Sequence, residues 1–266
     1  MRKTFCLVLF SFLTLIGLQA KVFVISDIDD TIKKANSANR SIGQVYHFLR
    51  KKIYPEMRDM FIELEETYEA RGEEVEFFYV SAAPDILFDQ DEWIEKHNFP
   101  AGEATLRDFG SGDTYPYKKR VIGNILKAAD PYDTIYLFGD NASKDAIVYK
   151  ELVEEGGFSN HFIYIRDVET DATFWSTDLP VRRLSGVRYF FSEREFLNER
   201  GLFFMSESLR ETIISAYEER SLIPEYSLKT LEKRLKKEWG CGLDFSCRCI
   251  AEENAAKFWD DYYSKF

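Results

Sequence analysis

Beyond its first twenty residues the chain has no long apolar run, no internal repeat and no low-complexity linker. No segment there is long and apolar enough for a transmembrane helix, and there is no sign of a repeat array. Basic charge is scarce too. The chain carries 35 Lys and Arg against 46 Asp and Glu; without residues 1–20, which hold only Arg2 and Lys3, the balance is 33 against 46, or −13. A nucleic-acid partner is not expected, because such proteins carry a basic face. An acidic protein can still act on phosphate esters, since the local field decides. Cysteine is the third scarcity. Cys6 lies in the leading segment, and Cys241, Cys247 and Cys249 crowd into "CGLDFSCRC". Three thiols allow one loop-closing disulfide with one left over, and zinc would lack a fourth ligand nearby.

The leading segment is distinctive. Arg2 and Lys3 precede "FCLVLFSFLTLIGL", the n-region and h-region of a secretory signal peptide. Ala20 is the expected last residue before cleavage, although Leu18 is a less usual residue two positions earlier. The apolar run is short for a span, which needs roughly 20 residues. The mature chain is therefore expected to be exported, periplasmic or secreted, with an uncleaved anchor as the alternative. The hydrophobic fraction of the full chain, 45%, is enough for a real core.

Strand-like and helix-like runs then alternate. "KVFVIS" (21–26), "EVEFFYVS" (74–81), "ATLRDFG" (104–110), "TIYLFGD" (134–140), "HFIYIRDV" (161–168) and a short "VRYFF" (187–191) read as strands. Helices are expected over 54–72, 85–99, 117–129 and 144–157, the first stopping at Gly72. Another starts at "SEREFLNERG" with a Ser192–Glu195 capping box. This alternation predicts an α/β fold, a Rossmann-like parallel sheet of about five strands flanked by helices. The domain would cover 21–200, followed by a helical extension over 201–266. In that extension Leu228, Leu231, Leu235 and Trp239 share a helical face bordered by Lys229, Lys233, Arg234, Lys236 and Lys237. Such a helix either packs on the core or meets an anionic lipid surface.

Chemistry gathers at the strand ends, where open α/β sheets place their sites. The first strand runs into Asp27, Asp29 and Asp30; the second ends at Ser81; the fourth ends at Asp140, with Asp145 five residues on. Lys118 lies in the helix before the fourth strand. Asp27 and Asp29, two apart, point the same way in an extended segment, and Asp30 is assigned to the turn. With Asp140 they form a negative pocket, where two charges about 4 Å apart repel by roughly 4 kcal/mol at an effective dielectric near 20. The pocket must hold a proton or a cation, and oxygen-only ligands favour magnesium. A carboxylate kept ionised can attack phosphorus and form an aspartyl-phosphate. Ser81 could donate to a phosphoryl oxygen, and Lys118 could neutralise the remaining charge. A calcium EF-hand loop is excluded, because its sixth and twelfth positions would be Ile32 and Ala38 rather than Gly and Glu.

"DIDDT", "YVSAAP", Lys118 in "YKKR" and "GDNASKD" together resemble the four ordered motifs of the haloacid-dehalogenase-like phosphatases. Across about residues 22–170, "SDIDDTIK", "FFYVSAAP", "FPAGEATLRDFG", "LFGDNASKD" with Tyr149, and "IYIRDV" resemble the catalytic domain of the actin-patch type phosphatidate phosphatases. The resemblance implies Asp27 as nucleophile and Asp29 as general acid/base. It also implies magnesium held by Asp27, Asp140 and the Asp29 carbonyl, with Asp145 in support. Ala83, Asn141 and Ala146-Ile147 depart from the family's Ser, Ser and Pro-Glu, which leaves the catalytic set intact and bears on substrate choice. The short interval from Ser81 to Lys118 leaves no room for a large cap. The basic stretch 33–56, with Lys33, Lys34, Arg40, Arg50, Lys51 and Lys52, is either a substrate-facing lid or a solvated loop and helix. The expected function is hydrolysis of a phosphomonoester, favouring phosphatidate or a related phospholipid at a lipid surface. A broad acid phosphatase for soluble esters and a non-catalytic exported binding module are the alternatives.

Overall fold

The computed structural model describes residues 20–35, 52–84, 90–107, 113–141, 143–166, 184–190, 192–197 and 199–218. The leading segment, residues 36–51 of the basic stretch, the Leu228–Trp239 stripe and the three clustered cysteines lie outside the described residues.

Six parallel strands form one sheet in the order β3-β2-β1-β4-β5-β6. They are β1 Val22–Ser26, β2 Val75–Pro84, β3 Gly102–Arg107, β4 Thr134–Asp140, β5 Asn160–Arg166 and β6 Arg188–Phe190. The sixth strand, only three residues long, lies within the short run expected at 187–191 and joins the sheet. Five α-helices occur among the described residues: α1 Pro55–Glu69, α2 Gln90–Lys96, α3 Thr114–Leu126, α4 Asp145–Gly156 and α5 Glu207–Glu218. The capping box at Ser192 forms, but it opens a single 3-10 turn, Glu193–Phe196, in place of a longer helix. Pro55 suits the first turn of α1, where a missing N–H costs nothing, and the chain leaves α1 through Gly72 at φ 79°.

Alternation along the strands divides the core into two unlike layers. One face is aromatic. Tyr136 and Phe138 of β4 lie beside Phe162 and Tyr164 of β5 in register, with ring centroids 5.0 and 5.3 Å apart. Phe61 of α1 packs against Phe77, Phe99 and Phe138 at 5.8, 6.2 and 4.9 Å. Helices α1, α2 and α5 cover this face, and Leu202, Phe204, Met205, Leu209 and Ile213 belong to its core. Its buried phenols are paired: Tyr136 Oη donates to the Gly201 carbonyl at 2.6 Å, and Tyr79 Oη to the Pro100 carbonyl at 2.8 Å. The other face is mostly aliphatic, with Ile25, Ile135, Leu137, Ile163 and Ile165 under α3 and α4.

The chain order reverses between β1 and β4, which lie side by side although β2 and β3 come between them in sequence. That switch point is where doubly wound sheets open a crevice. Truncation of Phe61 to Ala is expected to cost about 3–5 kcal/mol, the usual loss for a buried aromatic. Urea unfolding of the purified chain measures it, and a loss below 1 kcal/mol would show that the aromatic layer is not a stability centre.

Candidate active site

Strand β1 is buried at every position, and its ladder extends one residue further, with the Asp27 amide donating to the Phe138 carbonyl at 2.8 Å. The chain then reverses sharply. Amides of Thr31, Ile32 and Lys33 all point to the Ile28 carbonyl at 3.3, 3.1 and 2.9 Å. Asp30 takes a left-handed φ of 58° and its carboxylate accepts from the Ala35 amide at 3.1 Å, so this acid serves the turn. Buried Ile28 and Ile32 pin the reversal to the aromatic core.

The reversal aims Asp27 at β4 and α3. One oxygen, Oδ1, accepts from Lys118 Nζ at 2.7 Å, and Oδ2 accepts from Thr31 Oγ1 at 3.3 Å. Lys118 shares a helical stripe with Ile122 and Leu126, which carries its ammonium inside. The same ammonium donates to Asp145 Oδ1 at 2.6 Å. Asp145 opens α4, and its Oδ2 accepts from the Asp140 amide at 3.4 Å. One turn later Tyr149 Oη donates to the Phe138 carbonyl at 3.0 Å. Gly139 makes this packing possible, because a Cβ there would stand 2.7 Å from Asp145 Oδ2 and 2.9 Å from Tyr149 Cε2.

Oxygens of Asp27, Asp140 and Asp145 lie within 4.8 Å of one another, all from buried side chains. Burial pushes the Asp27 carboxyl up to about 7; Lys118 opposes the shift, while Asp145 and Asp29 reinforce it. Burial together with the charges of Asp27 and Asp145 drives Asp140 well above the usual carboxylate range. For Lys118 burial acts to lower the pKa, but Asp145, Asp27 and Asp140 outweigh it, so the lysine stays protonated. Three carboxylates around one ammonium leave the cluster short of positive charge. The donor set is oxygen only, which fits a hard divalent cation.

Asp29 stands apart from this triad. Its Oδ1 accepts from buried Lys33 at 3.0 Å and its Oδ2 from Ser81 Oγ at 3.2 Å. Ser81 in turn accepts from the Ala83 amide at 2.9 Å, so the hydroxyl expected to face a phosphoryl oxygen is directed at Asp29. Asp27, Asp140, Asp145 and Lys118 are thus brought together, with Asp29 and Ser81 on the β2 side of the same strand ends. Reading by local charge grouped Lys33 with the basic stretch; its spacing of four residues from Asp29 was the available signal for this pairing.

A family model for the catalytic domain of the phosphatidate phosphatase APP1 matches residues 22–167. The chain belongs to this family. The match begins at β1 and ends one residue after β5, so it takes in every acid and the lysine of the cluster. No curated protein and no solved structure matches the chain significantly. Within the APP1 catalytic family the substrate class is a phosphoester, and a buried acid triad beside a lysine is suited to a metal-assisted reaction on one.

The raised acids predict how a cation binds. Metal must displace the proton that Asp27 carries below about pH 7. For the proton on Asp27, affinity for a divalent cation should therefore climb by up to about tenfold per pH unit as pH rises toward about 7. The sign for stability is opposite. Carboxyls raised above their unfolded values stabilise the metal-free fold at low pH, and that contribution is lost as pH rises through about 7. Calorimetric Mg2+ titrations between pH 5 and 8 check the first effect; an affinity independent of pH would show that Asp27 is ionised throughout.

Proposed function

We propose that the chain is an exported, Mg2+-dependent phosphatase that hydrolyses phosphomonoesters through an aspartyl-phosphate on Asp27. The favoured substrate is phosphatidate or a related phospholipid monoester. The observation that carries the proposal is buried Lys118 bridging Asp27 and Asp145 beside Asp140, at the switch point of the sheet. Export rests on Arg2, Lys3 and the apolar run behind them. Among the described residues no helix is long and apolar enough to cross a membrane.

An oxygen of Asp27 attacks phosphorus in line, a P–O bond to Asp27 forms, and the P–O bond to the alcohol breaks. Asp29 gives the departing alkoxide its proton. Water then attacks the phosphorus of the aspartyl-phosphate, giving a proton to Asp29, and inorganic phosphate leaves with Asp27 regenerated. Lys118 holds Asp27 and stands ready to balance charge on the phosphoryl oxygens. Thr31 fixes the second Asp27 oxygen, so the nucleophile has one orientation. Ser81 and Lys33 hold both oxygens of Asp29 toward the β2 side of the strand ends. Mg2+ held by Asp27 and Asp140, with the Asp29 carbonyl and Asp145 in support, would supply charge neutralisation at the phosphoryl group.

The test compares phosphate release from phosphatidate vesicles and from soluble monoesters by residues 21–266. Asp27→Asn should lose at least about 10³-fold in kcat with an unchanged circular dichroism spectrum. Full activity in that variant would overturn the nucleophile. A chelator should abolish turnover and added Mg2+ restore it; indifference to the chelator would remove the metal. Faster release from soluble esters than from vesicles would move the substrate class to soluble phosphomonoesters.

A further inference from the structure

Arg166, the last residue of β5, is fully buried and lies outside the acid triad. Its Nη2 donates to the Thr31 carbonyl at 3.2 Å and also to the Glu193 carboxylate. The guanidinium rests against the rings of Tyr54 and Phe190, 3.8 and 4.7 Å from their centroids. Its own carbonyl accepts from the Asn141 amide at 3.1 Å. One residue thus grips the turn after β1 with its side chain and the turn after β4 with its main chain. Those turns follow directly on Asp27 and Asp140. Tyr54 grips the first turn again, its amide donating to the Ile32 carbonyl at 2.9 Å.

Glu193 belongs to the 3-10 turn capped by Ser192, which lies beyond the matched span 22–167. The counter-charge for Arg166 is therefore supplied from outside the family's catalytic stretch. Stability alone is a weak reason for such a pair, because apolar residues of similar volume often do as well or better in a core. Orientation is a stronger one. A charged donor makes a hydrogen bond roughly twice as strong as a neutral one, and one nitrogen, Nη2, ties the Thr31 carbonyl to the Glu193 carboxylate. Held this way, Thr31 presents its hydroxyl to Asp27 Oδ2.

We propose that Arg166 and Glu193 form a positioning pair: they lock Thr31, and through it Asp27, at a fixed spacing from Asp140. The proposal rests on the phosphatase reading above, in which Asp27 attacks. Glu193→Gln in residues 21–266 should lower kcat about tenfold, within the range for a misplaced reacting group, and leave KM within about twofold. Its Mg2+ dissociation constant, read by calorimetry without substrate, should rise about tenfold, as for loss of an outer support to metal ligands. Arg166→Lys, which keeps the buried charge but loses the planar guanidinium that rests against Tyr54 and Phe190, should do the same and carries the test if Glu193→Gln does not fold. Phe61→Ala is the control, destabilised in the aromatic core with wild-type kcat per folded molecule. Wild-type kcat and Mg2+ affinity in a folded, destabilised Glu193→Gln or Arg166→Lys would overturn the proposal and leave a purely structural ion pair. An inactive wild type or an active Asp27→Asn would instead fault the phosphatase reading, while the Mg2+ comparison still judges the positioning pair.

Discussion

The ammonium of Lys118 is the interaction on which the site depends. Asp27, Asp140 and Asp145 are buried close together, and each like-charged pair at such range repels by roughly 4 kcal/mol at an effective dielectric near 20. Lys118 touches two of them and is itself buried. Neither partner is tolerable alone in that interior. A bare lysine would be driven toward its neutral form, and bare carboxylates would hold protons. Together, with all three acids ionised, they leave a residual charge that one divalent cation or two protons would remove. The sheet order makes the arrangement possible, because β1 and β4 must be neighbours for Asp27 to meet Asp140.

Much of this was legible in the sequence, for local reasons. Period-two and period-3.6 patterns marked the strands and helices, and β4 begins and ends where "TIYLFGD" does. The acids announced themselves because several polar residues directly after buried strands are conspicuous. What stayed hidden depended on chain reversal or on long range. Lys33 looks like part of a basic stretch until the left-handed turn at Asp30 folds it back onto Asp29. Ser81 was read as facing substrate because its strand end was visible, while the direction of its hydroxyl was not. Arg166 and Glu193 are separated by a long interval, and a pair like that leaves no periodic trace. The three-residue β6 falls inside the short run 187–191 that its aromatic and β-branched residues mark as a strand.

The two faces of the sheet serve the site differently. The aromatic layer holds the turn after β1 through Ile28, Ile32 and Tyr54. The aliphatic layer carries α3 and α4, the helices that deliver Lys118 and Asp145. The acid cluster thus sits where rigid elements from both layers meet, which favours a fixed geometry over one set by loops. Gly139 is the narrowest point of that meeting, since the smallest side chain would collide with Asp145 and Tyr149.

The short pairing of β6 with β5 reaches further than its length suggests. Tyr164, Ile165 and Arg166 are matched by Arg188, Tyr189 and Phe190. The family's boundary at residue 167 cuts between them. A fragment ending there would keep the whole acid cluster yet expose the hydrogen-bonding edge of β5, the kind of edge that recruits other chains. It would also strip Phe190 and Glu193 from Arg166, leaving its guanidinium the Tyr54 ring and the Thr31 carbonyl but neither the second ring nor that carboxylate. The matched span and the sheet do not share a border.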